Sequence, residues 1–219
     1  MQKPRNIREI VIPPVGLEGR LALPAEAVGV VAFAHGSGSS RFSPRNTYVA
    51  EALEDAGLAA LLFDLLTDDE ARDRANVFDI PLLSERLTMA RDWLGHDART
   101  EALPLGYFGS STGAAAALVA AARAPGGVAA VVSRGGRPDL AGSCLREVRA
   151  PTLLIVGGHD EQVLELNRAA LAQLTSEKEL AIVPGATHLF EEPGTLDQVI
   201  DLARSWFLAH LSVQAVGQG

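Results

Sequence analysis

The chain has 219 residues, 47% of them hydrophobic and 21% charged, which is typical of a folded protein and not of a disordered one. Its net charge of −8 at pH 7 argues against a nucleic-acid-binding surface, and no apolar run approaches the ~18 residues of a membrane-spanning helix. We therefore expect a single domain over residues 1–219, with a core at about 7–211 and a frayed C-terminal tail, that acts on a small molecule.

The single cysteine and the N-terminal segment favour a cytoplasmic location. Cys144 is the only cysteine of the sequence, so it cannot form an internal disulfide, which fits a reducing compartment. Lys3 and Arg5 stand near the start, but no apolar stretch follows them as it would in a signal peptide. We expect neither a membrane nor a nucleic acid as a partner, and the sequence leaves a homo-oligomer open.

Apolar runs of strand length alternate with segments of helical periodicity along the chain. Short runs that are apolar on both faces predict buried strands, and longer runs with apolar residues three and four positions apart predict helices. In the first half, these patterns predict a hairpin at 7–13 and 17–24, a strand at 28–34, a helix at 44–57, a strand at 58–63 and a helix at 79–94. In the second half, they predict strands at 103–108, 128–132, 151–156 and 180–183 and helices at 112–124, 161–174 and 195–211.

This alternation predicts an α/β fold. Buried strands that are separated by helices form a mostly parallel central sheet flanked by helices on both faces. No segment is long enough for a separate lid domain, so the irregular segments near 35–45, 64–78 and 133–150 are expected to form the rim of any pocket. Ligands of such a sheet bind beyond the carboxyl ends of the strands, so the residues that follow each strand are the candidate site residues.

The residues Gly109-Ser110-Ser111-Thr112-Gly113 form a G-x-S-x-G sequence between a predicted strand and an Ala-rich predicted helix. This context is typical of a nucleophile elbow, a sharp turn that holds its central residue in a strained conformation above the sheet. Very small residues two before and two after the centre let the strand and the helix approach closely. The pattern therefore predicts Ser111 as a catalytic nucleophile.

An acid and a histidine follow later strands at the same edge of the sheet. A serine hydroxyl needs a base to take its proton and a third group to orient that base. His188 follows the last predicted strand and is the predicted base, and Asp160 follows the strand before it and is the predicted orienting acid. Asp160 also precedes a helix that it could cap. Asp64 and Asp139 are the alternative acids, although Asp64 is expected to tether a loop and Asp139 to cap a short helix.

Other polar residues near this edge have structural explanations. His35 is expected to form hydrogen bonds beneath its loop. Arg41 and Arg134 lie on predicted rim segments, where an arginine is usually solvated, and binding of a carboxylate by either is the alternative. No role follows from the position of His159.

Four short sequences together carry a resemblance to a known family: H-G-S-G-S at 35–39, G-S-S-T-G at 109–113, G-G-H-D at 157–160 and G-A-T-H at 185–188. In this combination the chain resembles the α/β-hydrolase superfamily and, within it, the small, lidless dienelactone-hydrolase-like group, over roughly residues 7–211. The order Ser111, Asp160, His188 is that of the superfamily's catalytic triad. One departure is that dienelactone hydrolases proper use a cysteine as nucleophile where this chain has Ser111.

The resemblance implies an oxyanion hole and a reaction. The implied donors are the backbone N–H groups of Ser37 and Thr112, and Gly36 and Gly38 would let the first loop approach a substrate oxygen. The implied function is a serine hydrolase that cleaves small carboxylic esters or lactones through an acyl-Ser111 intermediate, without a cofactor or a metal. An acyltransferase or perhydrolase with the same triad and a non-catalytic binding protein of the same fold are the alternatives.

Overall fold

The computed structural model describes residues 6–212, so most of the predicted tail lies outside the described residues. Eight strands of one sheet lie within this range: β1 (Asn6–Ile12), β2 (Leu17–Leu23), β3 (Val30–Ala34), β4 (Ala59–Phe63), β5 (Leu105–Ser110), β6 (Ala130–Arg134), β7 (Thr152–Gly157) and β8 (Lys178–Val183). The helices are α1 (Pro44–Asp55), α2 (Asp68–Ala71), α3 (Arg74–Val77), α4 (Ile80–His96), α5 (Thr112–Arg123), α6 (Glu161–Gln173) and α7 (Thr195–Leu211), with a 3₁₀ helix at Pro138–Glu147.

The sheet is parallel except at one edge. Its strand order is β1-β2-β4-β3-β5-β6-β7-β8. The opening hairpin makes the antiparallel pairs β1–β2 and β2–β4, and the other neighbouring strands pair in parallel. The predicted fold class is confirmed: a mostly parallel sheet with helices on both faces and, within residues 6–212, no separate lid domain.

Two large hydrophobic clusters, one on each face of the sheet, hold the layers together, and a third, small one joins β7 to α6. Helices α1 and α7 supply buried residues to one cluster, and α4, α5 and α6 supply them to the other. The strands β3, β4, β5, β6 and β7 are buried along their whole length, because side chains on both of their faces meet a helical layer. None of the described helices is both long enough and apolar enough to cross a membrane.

The rim segments contain more helix than the sequence predicts. The segment 64–78 contains α2 and α3, and α2 begins at a capping box in which Thr67 and Glu70 satisfy each other's backbone N–H groups. The segment 133–150 contains the 3₁₀ helix, which is interrupted at Gly142, where φ is 55°. Both segments are therefore anchored by local hydrogen bonds rather than irregular throughout.

Candidate active site

The turn from β5 to α5 holds Ser111 in a sharp bend. Ser111 has φ 51° and ψ −123°, a conformation that costs a non-glycine residue about 1–3 kcal/mol. A Cβ atom on Gly109 would lie 2.4 Å from the Cα of Ala114, and one on Gly113 would lie 2.2 Å from the carbonyl oxygen of Ala34. A side chain at either position would push the helix off the sheet, so the turn requires both glycines.

Burial separates Ser111 from the serine beside it. Ser110 is 3% exposed, and its hydroxyl donates a hydrogen bond to Oδ1 of Asn46 at 3.2 Å. Ser111 is partly exposed and lines a cavity together with His188. Both serines border this cavity, and Ser111 is the more exposed of the two.

The structure brings the predicted acid and the predicted base into contact. Nδ1 of His188 lies 2.7 Å from Oδ2 of Asp160, which is the distance of a strong hydrogen bond. Asp160 stands just before α6, but its side chain makes no capping hydrogen bond to that helix. Its carboxylate instead favours the imidazole tautomer that carries hydrogen on Nδ1 and leaves Nε2 free to accept a proton.

The two alternative acids contact arginines. Asp64 accepts a hydrogen bond from the backbone N–H of Arg41 at 2.7 Å and pairs with its guanidinium group, which is the loop-tethering role predicted for it. Asp139 accepts hydrogen bonds from Nε and Nη2 of Arg137 at 2.9 and 2.8 Å. The prediction that Asp139 caps a helix is wrong, because that guanidinium group takes its carboxylate and the 3₁₀ helix has no side-chain cap.

The loop that carries His188 is fixed on both sides. Glu192 accepts hydrogen bonds from the backbone N–H of Thr187 at 3.1 Å and from its hydroxyl at 2.7 Å. These bonds, the one from the hydroxyl first, lower the pKa of the Glu192 carboxyl. On the other side, Phe190 is 2% exposed. These contacts hold the residues on either side of His188, whose own side chain is 41% exposed.

The loop after β3 passes directly over Ser111. A Cβ atom on Gly36 would lie 2.9 Å from the Cβ of Ser111. The next residue, Ser37, donates its backbone N–H to the hydroxyl oxygen of Thr112 at 3.1 Å. This N–H is one of the two donors implied for an oxyanion hole, so a substrate oxygen has to share or displace the Thr112 hydroxyl to use it.

His35 supports this loop as a neutral imidazole. The backbone N–H of Leu65 donates to Nε2 of His35 at 3.1 Å, so the ring hydrogen is on Nδ1, which lies 3.1 Å from the carbonyl oxygen of Gly36. Burial lowers the pKa of His35, although the hydrogen bond to Gly36 and the charge of Asp64 act in the opposite direction. Both ring nitrogens are thus used in structure, as the sequence predicts for this residue.

Two cavities meet at the loop, because residues 36–39 line both of them. The first cavity has a volume of about 450 Å³ and contains Ser111 and His188. The second has a volume of about 330 Å³ and is lined on its apolar side by Leu65, Leu66, Val77 and Leu83. The loop therefore borders two different environments.

The expectation that Arg134 is solvated is wrong. Arg134 is 8% exposed and lines the first cavity, because it is the last residue of β6 and pairs in register with Ser110 of β5. Arg45, at the start of α1, lines the same cavity. The available signal for Arg134 was its place two residues after the predicted strand 128–132, at the carboxyl edge of the sheet. Arg41 is not freely solvated either: its side chain is 17% exposed, lines the second cavity and pairs with Asp64 and Glu18.

The structure combines a strained serine at a strand-to-helix elbow with a His–Asp contact. Both lie beyond the carboxyl ends of a mostly parallel sheet, and together they are features of an α/β hydrolase. A model of the dienelactone hydrolase family matches residues 17–204. The chain therefore belongs to the dienelactone hydrolase family.

Among residues 6–212, no cluster of three or more His, Cys, Asp or Glu side chains is arranged to hold a metal ion.

Solved structures share this fold. The structure of dienelactone hydrolase from Anabaena variabilis is 56% identical in sequence and has a TM-score of 0.90, covering 95% of this chain and 98% of that one. Est1E from Butyrivibrio proteoclasticus has a TM-score of 0.77 with 16% identity, covering 92% of this chain and 98% of its own. The second likeness concerns the fold alone.

A relative from Mycobacterium tuberculosis is longer than this chain. It bears the name "Putative phosphoribosyl transferase" and is 61% identical over 203 residues, which cover 93% of this chain and 46% of the relative. The chain thus spans about half the length of the curated relatives that it matches. The name describes the longer protein.

Proposed function

We propose that this chain is a serine hydrolase that cleaves small carboxylic esters or lactones through an acyl-Ser111 intermediate. The observation that carries the proposal is the 2.7 Å contact between Asp160 and His188 at the cavity that also contains Ser111. Membership of the dienelactone hydrolase family supports the hydrolase class. Because a serine hydroxyl is not ionised at neutral pH, it depends on such a base more than a cysteine thiol does.

The proposed reaction has two halves. The Ser111 hydroxyl oxygen attacks the carbonyl carbon while Nε2 of His188 takes its proton, and the carboxylate of Asp160 stabilises the resulting imidazolium. The N–H groups of Ser37 and Thr112 stabilise the negative oxygen. His188 then protonates the alcohol oxygen as the ester bond breaks. A water molecule then attacks the acyl-enzyme and gives a proton to His188. His188 returns that proton to the Ser111 oxygen as the acyl–oxygen bond breaks, which releases the carboxylic acid and restores the Ser111 hydroxyl.

A fluorophosphonate probe tests the nucleophile without knowledge of the substrate. We expect the probe to label Ser111, as located by mass mapping of peptides, and we expect Ser111→Ala to lose both the label and all turnover of 4-nitrophenyl acetate while remaining folded. Ser110→Ala is the matched control, since Ser110 is buried and bonded to Asn46, and it should still be labelled. A label on Ser110, or no label in a folded wild-type protein, would refute the proposal.

Product analysis separates hydrolysis from acyl transfer. With methanol or hydrogen peroxide present at increasing concentrations, a hydrolase releases mainly the free acid, whereas a transferase or perhydrolase passes most of the acyl group to the added acceptor. The longer M. tuberculosis relative is named a phosphoribosyl transferase, and we do not propose that activity for the Ser111 site.

A further inference from the structure

The hydroxyl group of Thr112 already occupies one of the two donors implied for an oxyanion hole. Thr112 follows Ser111 directly, is the first residue of α5 and is 4% exposed. Its Oγ1 atom accepts a hydrogen bond from the backbone N–H of Ser37 at 3.1 Å. Thr112 borders the second cavity, Ser111 borders the first, and Ser37 borders both. The hydroxyl group therefore contacts the loop at the place where the two cavities meet.

The hydrogen of this hydroxyl group has no acceptor within residues 6–212. A threonine hydroxyl offers one hydrogen and two acceptor lone pairs, and the hydrogen bond of Thr112 Oγ1 in this range is the one that it accepts from Ser37. The other buried threonines of the range are Thr100, Thr152 and Thr195. Each of them donates its hydroxyl hydrogen to a backbone carbonyl oxygen, at 2.7, 3.0 and 2.7 Å. Since buried polar groups are normally hydrogen-bonded, the unused donor of Thr112 calls for an acceptor that binds there.

A negative oxygen held by the two implied donors lies beside this hydroxyl group. The backbone N–H of Thr112 has no intrahelical partner, because it is in the first turn of α5, and the N–H of Ser37 points at Thr112 Oγ1. An oxygen that accepts from both N–H groups therefore approaches Oγ1. The lone pairs of Oγ1 repel such an oxygen. The hydroxyl hydrogen, however, rotates without a change of side-chain rotamer and can make a short, charge-assisted hydrogen bond to it.

We propose that the Thr112 hydroxyl is a third donor to the oxyanion, beside the backbone N–H groups of Thr112 and Ser37. This inference deepens the proposed function and rests on it. Without substrate, Oγ1 only accepts from Ser37. When the negative oxygen forms, Oγ1 shares the Ser37 hydrogen with it and donates its own hydrogen to it, so the linked hydrogen bonds polarise one another. No covalent bond of Thr112 changes in this step.

Thr112→Val tests this role by kinetics, because valine has nearly the shape of threonine and lacks the hydroxyl group. We expect kcat and kcat/KM for 4-nitrophenyl acetate to fall together by about 10²–10³-fold, which is typical of the loss of one oxyanion donor. KM should change little, since the interaction forms only in the transition state. Thr112→Ser keeps the hydroxyl group and should retain most of the rate.

Thr152→Val is the matched control. It also replaces a buried threonine, and it removes a hydroxyl hydrogen bond at the start of β7, the opposite end of that strand from the site. The variant should therefore lose stability in thermal unfolding but keep the kcat of the wild type. A loss of kcat in Thr152→Val as large as that in Thr112→Val would show that the effect follows from stability and would overturn the third donor.

The fluorophosphonate adduct tests the contact directly on the wild-type protein. In a crystal structure of the labelled protein, the phosphoryl oxygen of the group on Ser111 represents the negative oxygen of the reaction. We expect this oxygen to lie within about 2.5–3.0 Å of Thr112 Oγ1, the range of O–H···O hydrogen bonds. A hydroxyl group that only anchors the loop through Ser37 would lie beyond about 3.5 Å from it. This structure decides the question even if Thr112→Val does not fold.

Each outcome has a defined meaning. The contact in the adduct, together with the loss of kcat in a folded Thr112→Val protein, supports the third donor. An adduct without the contact overturns it, and so does a folded Thr112→Val protein with the kcat of the wild type or a higher one. These results leave the hydrolase proposal intact. A folded wild type that is neither labelled on Ser111 nor active on 4-nitrophenyl acetate overturns both proposals.

Discussion

Replacing Gly36 by alanine tests how closely the loop after β3 fits against Ser111. The new Cβ atom would lie 2.9 Å from the Cβ of Ser111 and 3.2 Å from the carbonyl oxygen of Ser110. Since carbon atoms in contact prefer a separation of about 3.5–4.0 Å, the loop and Ser111 must move apart by about 0.6–1.1 Å. A displacement of ~1 Å can cost about 10²-fold in rate. We therefore expect kcat/KM for 4-nitrophenyl acetate to fall by about 100-fold.

Gly95→Ala provides the matched control. Gly95 lies in α4, and a Cβ atom there would meet nothing within 4 Å. The kcat/KM of the Gly95→Ala protein should therefore equal that of the wild type, and the stability of the variant should rise by about 0.5–1 kcal/mol. Thermal unfolding of both variants shows whether Gly36→Ala remains folded at the assay temperature. A folded Gly36→Ala protein with the rate of Gly95→Ala would refute the reasoning, because the loop would then have moved without displacing Ser111.

Three further predictions concern the acid, the buried histidine and the acyl group. Asp160→Asn should lower kcat by about 10²–10⁴-fold, whereas Asp139→Asn should change it only a few-fold. Equal losses of kcat in the two variants, measured in the ester assay, would contradict Asp160 as the orienting acid. Burial lowers the pKa of His35 below 6.5, so the unfolded state binds more protons than the folded state as the pH falls below that value. Urea unfolding should therefore show a loss of stability from pH 7 to 5, and His35→Gln should lack this loss. Parallel pH profiles of the two proteins would contradict this. In a chain-length series, kcat/KM should be highest for short acyl esters, since each CH₂ left in water forgoes about 0.8 kcal/mol; a steady rise to long chains, or activation by micelles, would contradict it.

The fold class could be predicted from the sequence because each central strand is buried on both faces. A run such as Val30–Ala34 has no polar face, so only a sheet with two helical layers accommodates it. The order of the strands could not be predicted in the same way. β3 lies between β4 and β5, and this order depends on how helices cross over the sheet rather than on any residue within a strand.

The contact between Asp160 and His188 was predictable because both residues follow strands at one edge of the sheet. The burial of Arg134 was not, since arginine is usually exposed and the sequence does not show how far the last residue of β6 extends beneath the loops. The role of Asp139 was also mispredicted. Its partner, Arg137, is only two residues away, and both helix capping and ion pairing fit that spacing.

The loop 36–39 lines both cavities and also carries the Ser37 N–H, which donates to the hydroxyl of Thr112 next to Ser111. In the proposed reaction, this shared position couples selectivity to turnover. A substitution in this loop that widens one cavity for a bulkier group also moves the backbone N–H of Ser37 and the atoms of Gly36 that lie against Ser111. Laboratory evolution toward larger esters should therefore first accept substitutions outside this loop, at positions such as Leu66 and Val77. Substitutions in the loop 36–39 itself should be accepted only later and together with compensating changes.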